Sequence, residues 1–374
     1  MIFDYHFRNY NFRILIYMIL LSVLGIFVVG SASNQDSSAV TKQIIGVVLS
    51  LVICLVLSLI DYHQYFRFST MIYVICVGML AAVLLVGRTT KGATRWLRIG
   101  GIQIQPSEFV KIGLILILAS FLSKNQEKID EPRTLGMTAL ICVLPVGLVF
   151  RQPNLSTTIV ICFMILCMIY ITGISYKWIV RAVAVGVPGF AALIYLSLQG
   201  LIPFLQKYQA QRIMGKIFHS SSEFTDLNRQ QDNSMMAIGS GQLRGKGLFN
   251  NTLSSVKNGN FLSEEQTDFI FAVIGEELGF VGCVAVIALY ALLAYECVWI
   301  AVRAKDMAGR LIASGMAALL AFQSFANIAV ATGIFPNTGL PLPFISSGLS
   351  SLLSMFIGMG IVLNVGLQRK NMNH

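Results

Sequence analysis

Asp268 stands at the head of an apolar run, inside Ser263-Glu-Glu-Gln-Thr-Asp-Phe-Ile-Phe-Ala-Val-Ile-Gly-Glu-Glu-Leu-Gly279. A carboxylate placed there can take a proton from a hydroxyl group. Four cations, Arg88, Lys91, Arg95 and Arg98, crowd into residues 88–98 with no acid among them. Such a cluster can steady a leaving phosphate, so the two features together suit group transfer from a phosphorylated donor. A plainer reading stays open. Ser263 and Gln266 fit a capping box, and Glu264, Glu265 and Asp268 suit the positive end of a helix dipole. Glu276 follows eight residues on, near the same helix face and about 12 Å deeper by helical rise.

Three further stretches carry polar groups where lipid would lie. In Gln105-Pro-Ser-Glu-Phe-Val-Lys111, Glu108 and Lys111 are neighbours on one helix face. They form either a structural ion pair or a Lys111 that meets a substrate phosphate or sugar while Glu108 holds it. Ala237-Ile-Gly-Ser-Gly-Gln-Leu-Arg-Gly-Lys-Gly247 is rich in glycine and carries Arg244 and Lys246. It is a flexible turn or a backbone cradle for phosphate. Asn327 precedes a run with Pro336, Pro341 and Pro343 that forbids regular helix up to Ser351. That run is a loop or broken helix, expected to line the same cavity or simply to turn between helices.

The elements that position these groups follow from composition. Of 374 residues, 56% are apolar and 12% charged, about half the charge density of a soluble domain. Apolar runs fall at 14–30, 44–60, 68–86, 109–122, 135–150, 155–172, 178–198, 269–302, 311–333 and 344–367. The expected fold is therefore all-α, a polytopic membrane bundle of about ten transmembrane helices with a long extracytoplasmic loop before the eighth. The fourth run is short and is expected to start earlier, with Pro106 in its first turn. The eighth is overlong, which implies projection beyond the membrane or tilt. The whole chain, 1–374, reads as one integral-membrane domain containing the loop 199–267. Ser31-Ala32-Ser33 resembles a cleavage site, but nine spans follow it, so the first run is read as an uncleaved helix.

With the N-terminus inside, thirteen Lys and Arg flank the inner ends of the spans and six the short outer ones. Both termini are therefore expected in the cytoplasm. The net charge of +10 points to anionic membrane lipid, and no basic run stands beside a nucleic-acid module. The seven cysteines lie in apolar stretches without CxxC spacing, and the four histidines are scattered. No metal site is expected from them.

These stretches together resemble the SEDS family (shape, elongation, division and sporulation), from the first span to the last. The resemblance rests on Lys91-Gly-Ala-Thr-Arg-Trp96, Gln105-Pro-Ser-Glu108 with Lys111, Ala237-Ile-Gly-Ser-Gly241 with Gly245-Lys-Gly247, Thr267-Asp-Phe-Ile-Phe271 with Gly275-Glu-Glu-Leu-Gly279, and Pro341-Leu-Pro-Phe-Ile-Ser346. It implies a plasma-membrane peptidoglycan glycosyltransferase that polymerises lipid II beside a class B penicillin-binding protein, a transpeptidase that also activates it. Asp268 falls on the family's catalytic acid/base. Lys91, Arg95, Lys111 and Arg212 are the cations expected to balance pyrophosphate, with Glu108 and Glu276 orienting and neutralising. Gln105, Ser107 and Ser346 belong to the matched motifs and are expected at the substrate. Trp96 either meets a sugar or lipid or anchors at the interface. No cofactor is implied, and a divalent cation is left open.

The short tails fit the RodA-like branch better. Asn154 replaces a usual Asp, Gln242 a usual glycine and Leu349 another. Two other functions would fit ten spans: a lipid II transporter, and an inactive scaffold for the transpeptidase. Against the transporter, its sites lie near the midplane rather than at the outer boundary. Retention of Asp268 opposes the scaffold.

Overall fold

The computed structural model describes residues 9–33, 36–90, 93–99, 102–152, 154–198, 225–249, 265–337 and 339–368. Each of the ten apolar runs coincides with a helix. They are α1 (Phe12–Ala32), α2 (Ser37–Ser58), α3 (Tyr62–Val86), α4 (Pro106–Lys124), α5 (Pro132–Arg151), α6 (Leu155–Ile171) and α7 (Tyr176–Leu198). After α8 (Thr225–Ser240) come α9 (Ile270–Arg303), α10 (Met307–Ala331) and α11 (Leu349–Leu367). Eight of these are long and apolar enough to cross a membrane: α1 to α5 and α9 to α11. Polar caps start several of them. Asn11, Asp36, Asp61, Asn154 and Asp306 each accept a backbone N–H of the first turn. Pro106 begins α4, as its sequence implies.

The three most enclosed spans, α4, α10 and α11, have low mean hydropathy, whereas the more apolar α2 and α3 leave most of their surface outward; α5 is as polar as α11 yet little buried. The enclosure of α4, α10 and α11 is what lipid demands, since polar side chains within a span must face protein. Helix α4 packs against α3, α10 and α11, α2 lies along α11, and α1 along α9. Five cysteines are buried, Cys167 is half-buried and Cys162 is exposed; all are free.

Four features depart from the sequence-based expectation. The fold is mostly helical but not purely so: β1 (Arg88–Thr90), β2 (Ala93–Ile99) and β3 (Ile102–Ile104) form a small antiparallel sheet, in that order. Thr89, Thr90, Thr94, Ile99, Ile102 and Ile104 are β-branched and suit strands. The long segment 199–267 contains helix α8, whose Gln231 Nε2 donates to the carbonyls of Val330 (2.7 Å) and Phe335 (2.6 Å). Asp268 is not an acid of the first turn of α9, and Ser263 of the expected capping box lies outside the described residues. Helix α9 begins at Ile270 behind Phe269, which makes no side-chain cap, and Asp268 lies in the preceding turn.

The overlong span is broken as well. Gly279 has φ 66° and ψ −164° inside α9. The break opens the two ladder bonds that Phe280 and Val281 would make to residues 276 and 277. The glycine-rich segment fills both gaps. Phe280 N–H donates to Gln242 O (2.8 Å) and Val281 N–H to Leu243 O (3.2 Å), while Lys246 and Gly247 N–H donate to the carbonyls of Glu276 and Glu277 (both 2.9 Å). A Cβ on Gly241 or Gly245 would collide with the backbone of Gly275 or Glu277. The glycines therefore serve close backbone approach. The N–H groups of Lys246 and Gly247, which a phosphate cradle would need, are engaged with protein carbonyls.

Candidate active site

Asp268 is half-buried and sits where three pieces of chain converge. The turn 265–269 carries it, α10 passes behind it, and the proline-rich loop 335–348 lies opposite. Gly339 has φ +66°, and a Cβ there would stand 3.0 Å from Asp268 Oδ2. The missing side chain thus lets the loop backbone pass close to the carboxylate. Asn327 Nδ2, on α10, donates to Asp268 O (2.9 Å) and to Leu340 O (2.6 Å). Ser346 Oγ donates to Thr267 O (2.6 Å) and accepts Leu342 N–H (2.7 Å), and Ser347 N–H donates to Gln266 O (2.9 Å).

The loop has few backbone bonds of its own, because prolines lack N–H groups. Side chains from three helices cover its carbonyls instead. Asn327 takes Leu340, Gln323 Nε2 takes Pro341 (3.0 Å), Tyr290 OH takes Pro343, and Gln43 Nε2 takes Ile345 (3.4 Å). Phe344 adopts φ 65°, a strained value for a bulky residue that its surroundings must hold. Its ring packs edge-on against Phe356, and Gly25 of α1 approaches the backbone of Ile345 and Phe344.

Glu108 and Lys111 belong to the same construction. Lys111 Nζ donates to Glu108 Oε2 (2.8 Å) and to Gln323 Oε1 (2.8 Å), and both charged side chains are about 1% exposed. One chain of bonds therefore runs from Glu108 through Lys111 and Gln323 to the loop, and one helical turn farther along α10 Asn327 reaches Asp268. Ser107 is buried in the first turn of α4, and Gln105 N–H donates to Ser350 Oγ (3.1 Å). The start of α4 is thereby tied to the start of α11.

Glu276 is brought to a different neighbourhood. It forms a 2.7 Å ion pair with Lys246 of the glycine-rich segment, and Ser31 Oγ donates to the adjacent Glu277 (2.5 Å) while accepting Phe249 N–H (3.1 Å). Arg95 and Trp96 lie on β2, half-buried. Arg95 Nε donates to Gln152 O (3.2 Å), tying the sheet to the α5–α6 turn. Arg95 and Arg98 are three apart on a strand and so point to opposite faces. Lys91 and Arg212 lie outside the described residues. Among the described residues no group of three His, Cys, Asp or Glu gathers to hold a metal ion. Gln323, Tyr290 and Gln43 escape motif-based reading; their one sequence signal is a polar group inside an apolar span.

The comparisons with known proteins agree with this geometry. The model of the FtsW/RodA/SpoVE cell-cycle protein family matches residues 12–371. The chain belongs to this family. Peptidoglycan glycosyltransferase MrdB of Escherichia coli K12 is 36% identical over 356 residues, 95% of this chain and 93% of that protein. Stage V sporulation protein E of Bacillus subtilis is 33% identical over 363 residues, 94% of this chain and 95% of that one. Among solved structures, a chain of a peptidoglycan synthase complex that coordinates polymerization and crosslinking superposes with a TM-score of 0.78 at 29% identity, covering 96% and 97% of the two chains. The rod shape determining protein RodA of Thermus thermophilus gives 0.69 at 28%, covering 97% and 98%. The SEDS resemblance is thus confirmed, and the chain is RodA-like.

Its three departures from the family pattern have local explanations. Asn154, 1% exposed, caps α6 by accepting Thr157 N–H (3.4 Å), a task an Asp would perform equally. Gln242 has φ 50°, so a position that favours glycine is held by a side chain under mild strain. Leu349 packs over Gly46 of α2, its Cδ1 3.3 Å from where a Cβ would stand.

Proposed function

We propose that this peptidoglycan glycosyltransferase polymerises lipid II at the outer face of the plasma membrane, with Asp268 as general base. The acceptor's N-acetylglucosamine 4-hydroxyl gives its proton to the Asp268 carboxylate as its oxygen attacks the anomeric carbon of the donor's N-acetylmuramic acid. The C1–O bond to undecaprenyl pyrophosphate breaks, the pyrophosphate leaves, and an α link becomes β-1,4. Such a base contributes about 10²–10⁴ in rate. The observation that carries this reading is the carboxylate's setting. Asp268 lies against a glycine backbone that only a residue without a side chain could bring so near, and its own backbone is pinned to a polar network rather than placed in a helix cap.

In this reading Lys91, Arg95 and Arg212 balance the leaving pyrophosphate, with Trp96 beside sugar or lipid. Lys111, Glu108 and Ser346 hold the loop that frames the base. Gln105 and Ser107 shape the neighbouring wall, and Glu276 secures the broken helix. Both termini lie in the cytoplasm. A class B penicillin-binding protein is the partner, supported by the likeness to a chain of a synthase complex. Polymerisation of purified lipid II by wild type against Asp268→Asn tests the assignment.

A further inference from the structure

Helix α10 carries a buried primary amide that bridges the backbone of Asp268 and the backbone of the loop opposite it. Asn327 is 1% exposed. Both hydrogens of its Nδ2 are used, one on Asp268 O and one on Leu340 O. Two carbonyl partners fix the amide's orientation, since Oδ1 in that place would face two acceptors. Oδ1 itself is buried and has no hydrogen-bond partner. Leaving such a group unsatisfied is costly, so the site keeps an amide here for its two donors.

The two residues joined are the ones that matter geometrically. Asp268 carries the carboxylate, but it precedes the first residue of α9 and gains no rigidity from that helix's ladder. Leu340 follows Gly339, whose bare Cα faces Asp268 Oδ2. The distance between carboxylate and Gly339 sets how closely the loop closes on the base. One side chain sets that distance from a rigid, largely buried helix.

We propose that Asn327 is the positioning residue for Asp268, holding the base and the Gly339 backbone at the separation the transfer needs. This rests on the reading of Asp268 as base. Asn327 is enclosed and does not touch substrate, so its effect falls on turnover. A displacement of about 1 Å at such a base lowers rate roughly 10²-fold, while the donor and acceptor keep their other contacts.

The test is polymerisation kinetics on lipid II with the full chain and its transpeptidase partner. Asn327→Leu keeps the side chain's branching and neutrality, though it is larger, and removes both donors. Asn327→Ser retains a single, shorter donor. Asp268→Asn is measured alongside. We expect kcat to fall about 10²-fold in Asn327→Leu and less in Asn327→Ser, with KM within about twofold of wild type in both. A fall carried by KM, or wild-type kcat in Asn327→Leu, overturns the proposal. Should Asn327→Leu fail to fold, wild-type kcat in Asn327→Ser overturns it equally. If Asp268→Asn stays active, the base assignment fails whatever Asn327 does. An inactive Asp268→Asn beside a fully active Asn327→Leu removes the positioning role alone.

Discussion

Replacing Lys111 by Met asks whether its charge serves the fold or the substrate. Lys111 and Glu108 are about 1% exposed and 2.8 Å apart. At an effective dielectric of about 20 their attraction is about 6 kcal/mol, against a desolvation penalty of several kcal/mol per ion. Removing one partner leaves an uncompensated buried charge, and such changes cost about 3–5 kcal/mol. Gln323 Oε1 loses its donor at the same time, which adds about 1–3 kcal/mol. Lys111→Met is therefore expected to be destabilised by at least about 3 kcal/mol in reversible unfolding in detergent micelles. Adding Glu108→Gln removes the stranded charge and should restore most of the loss, because a buried pair replaced as a unit is near neutral. Lys111→Met with wild-type stability and no polymer would refute the reasoning and place the ammonium on the substrate.

Three other substitutions probe separate parts. Gln242→Gly relieves the left-handed strain at φ 50° and should stabilise the protein by about 0.5–1 kcal/mol; a lowered melting temperature contradicts the strain. Gly339→Ala puts a methyl 3.0 Å from Asp268 Oδ2 at φ +66°. Polymerisation should drop at least about tenfold while the protein stays folded, and unchanged turnover would show that the carboxylate's position beside Gly339 does not matter to the reaction. Asp61, between α2 and α3, is pushed up by burial, but hydrogen bonds from Gln368 and from the backbone and ring of His63 outweigh this and hold it below the usual carboxylate range. A lowered native value contributes stability above the unfolded pKa of about 4 that is lost as pH falls through the native one. Asp61→Asn should therefore show a shallower loss of melting temperature on acidification, and parallel curves would exclude the linkage.

How much was legible in the sequence depended on the range of the interaction. Apolar periods and Pro106 are local signals, so ten helices could be placed, with α4 starting where its proline implies. The sheet of β1 to β3 was hidden because short strands beside charged residues look like loop. Asp268 reads locally as a first-turn acid, but the Ser346 and Ser347 bonds hold 266–267 in a turn and the helix begins only at Ile270. Lys111 and Glu108 were visible as a pair by spacing. Their third member, Gln323, lies 212 residues from Lys111, and no local pattern announces it. Glycines 241 and 245 were visible as glycines and Gly279 as part of a motif, but that the first two repair a break at the third is a contact between distant segments that no local pattern announces.

The central claim is that Asp268 is the base of a lipid II polymerase. Glycan chains made from purified lipid II, by wild type and by Asp268→Asn, each co-purified with the partner and checked for partner retention, measure it most directly. Long glycan from wild type and a loss of about 10²-fold or more in Asp268→Asn is the expected result. Comparable glycan from both would contradict the assignment and place the proton transfer on another group.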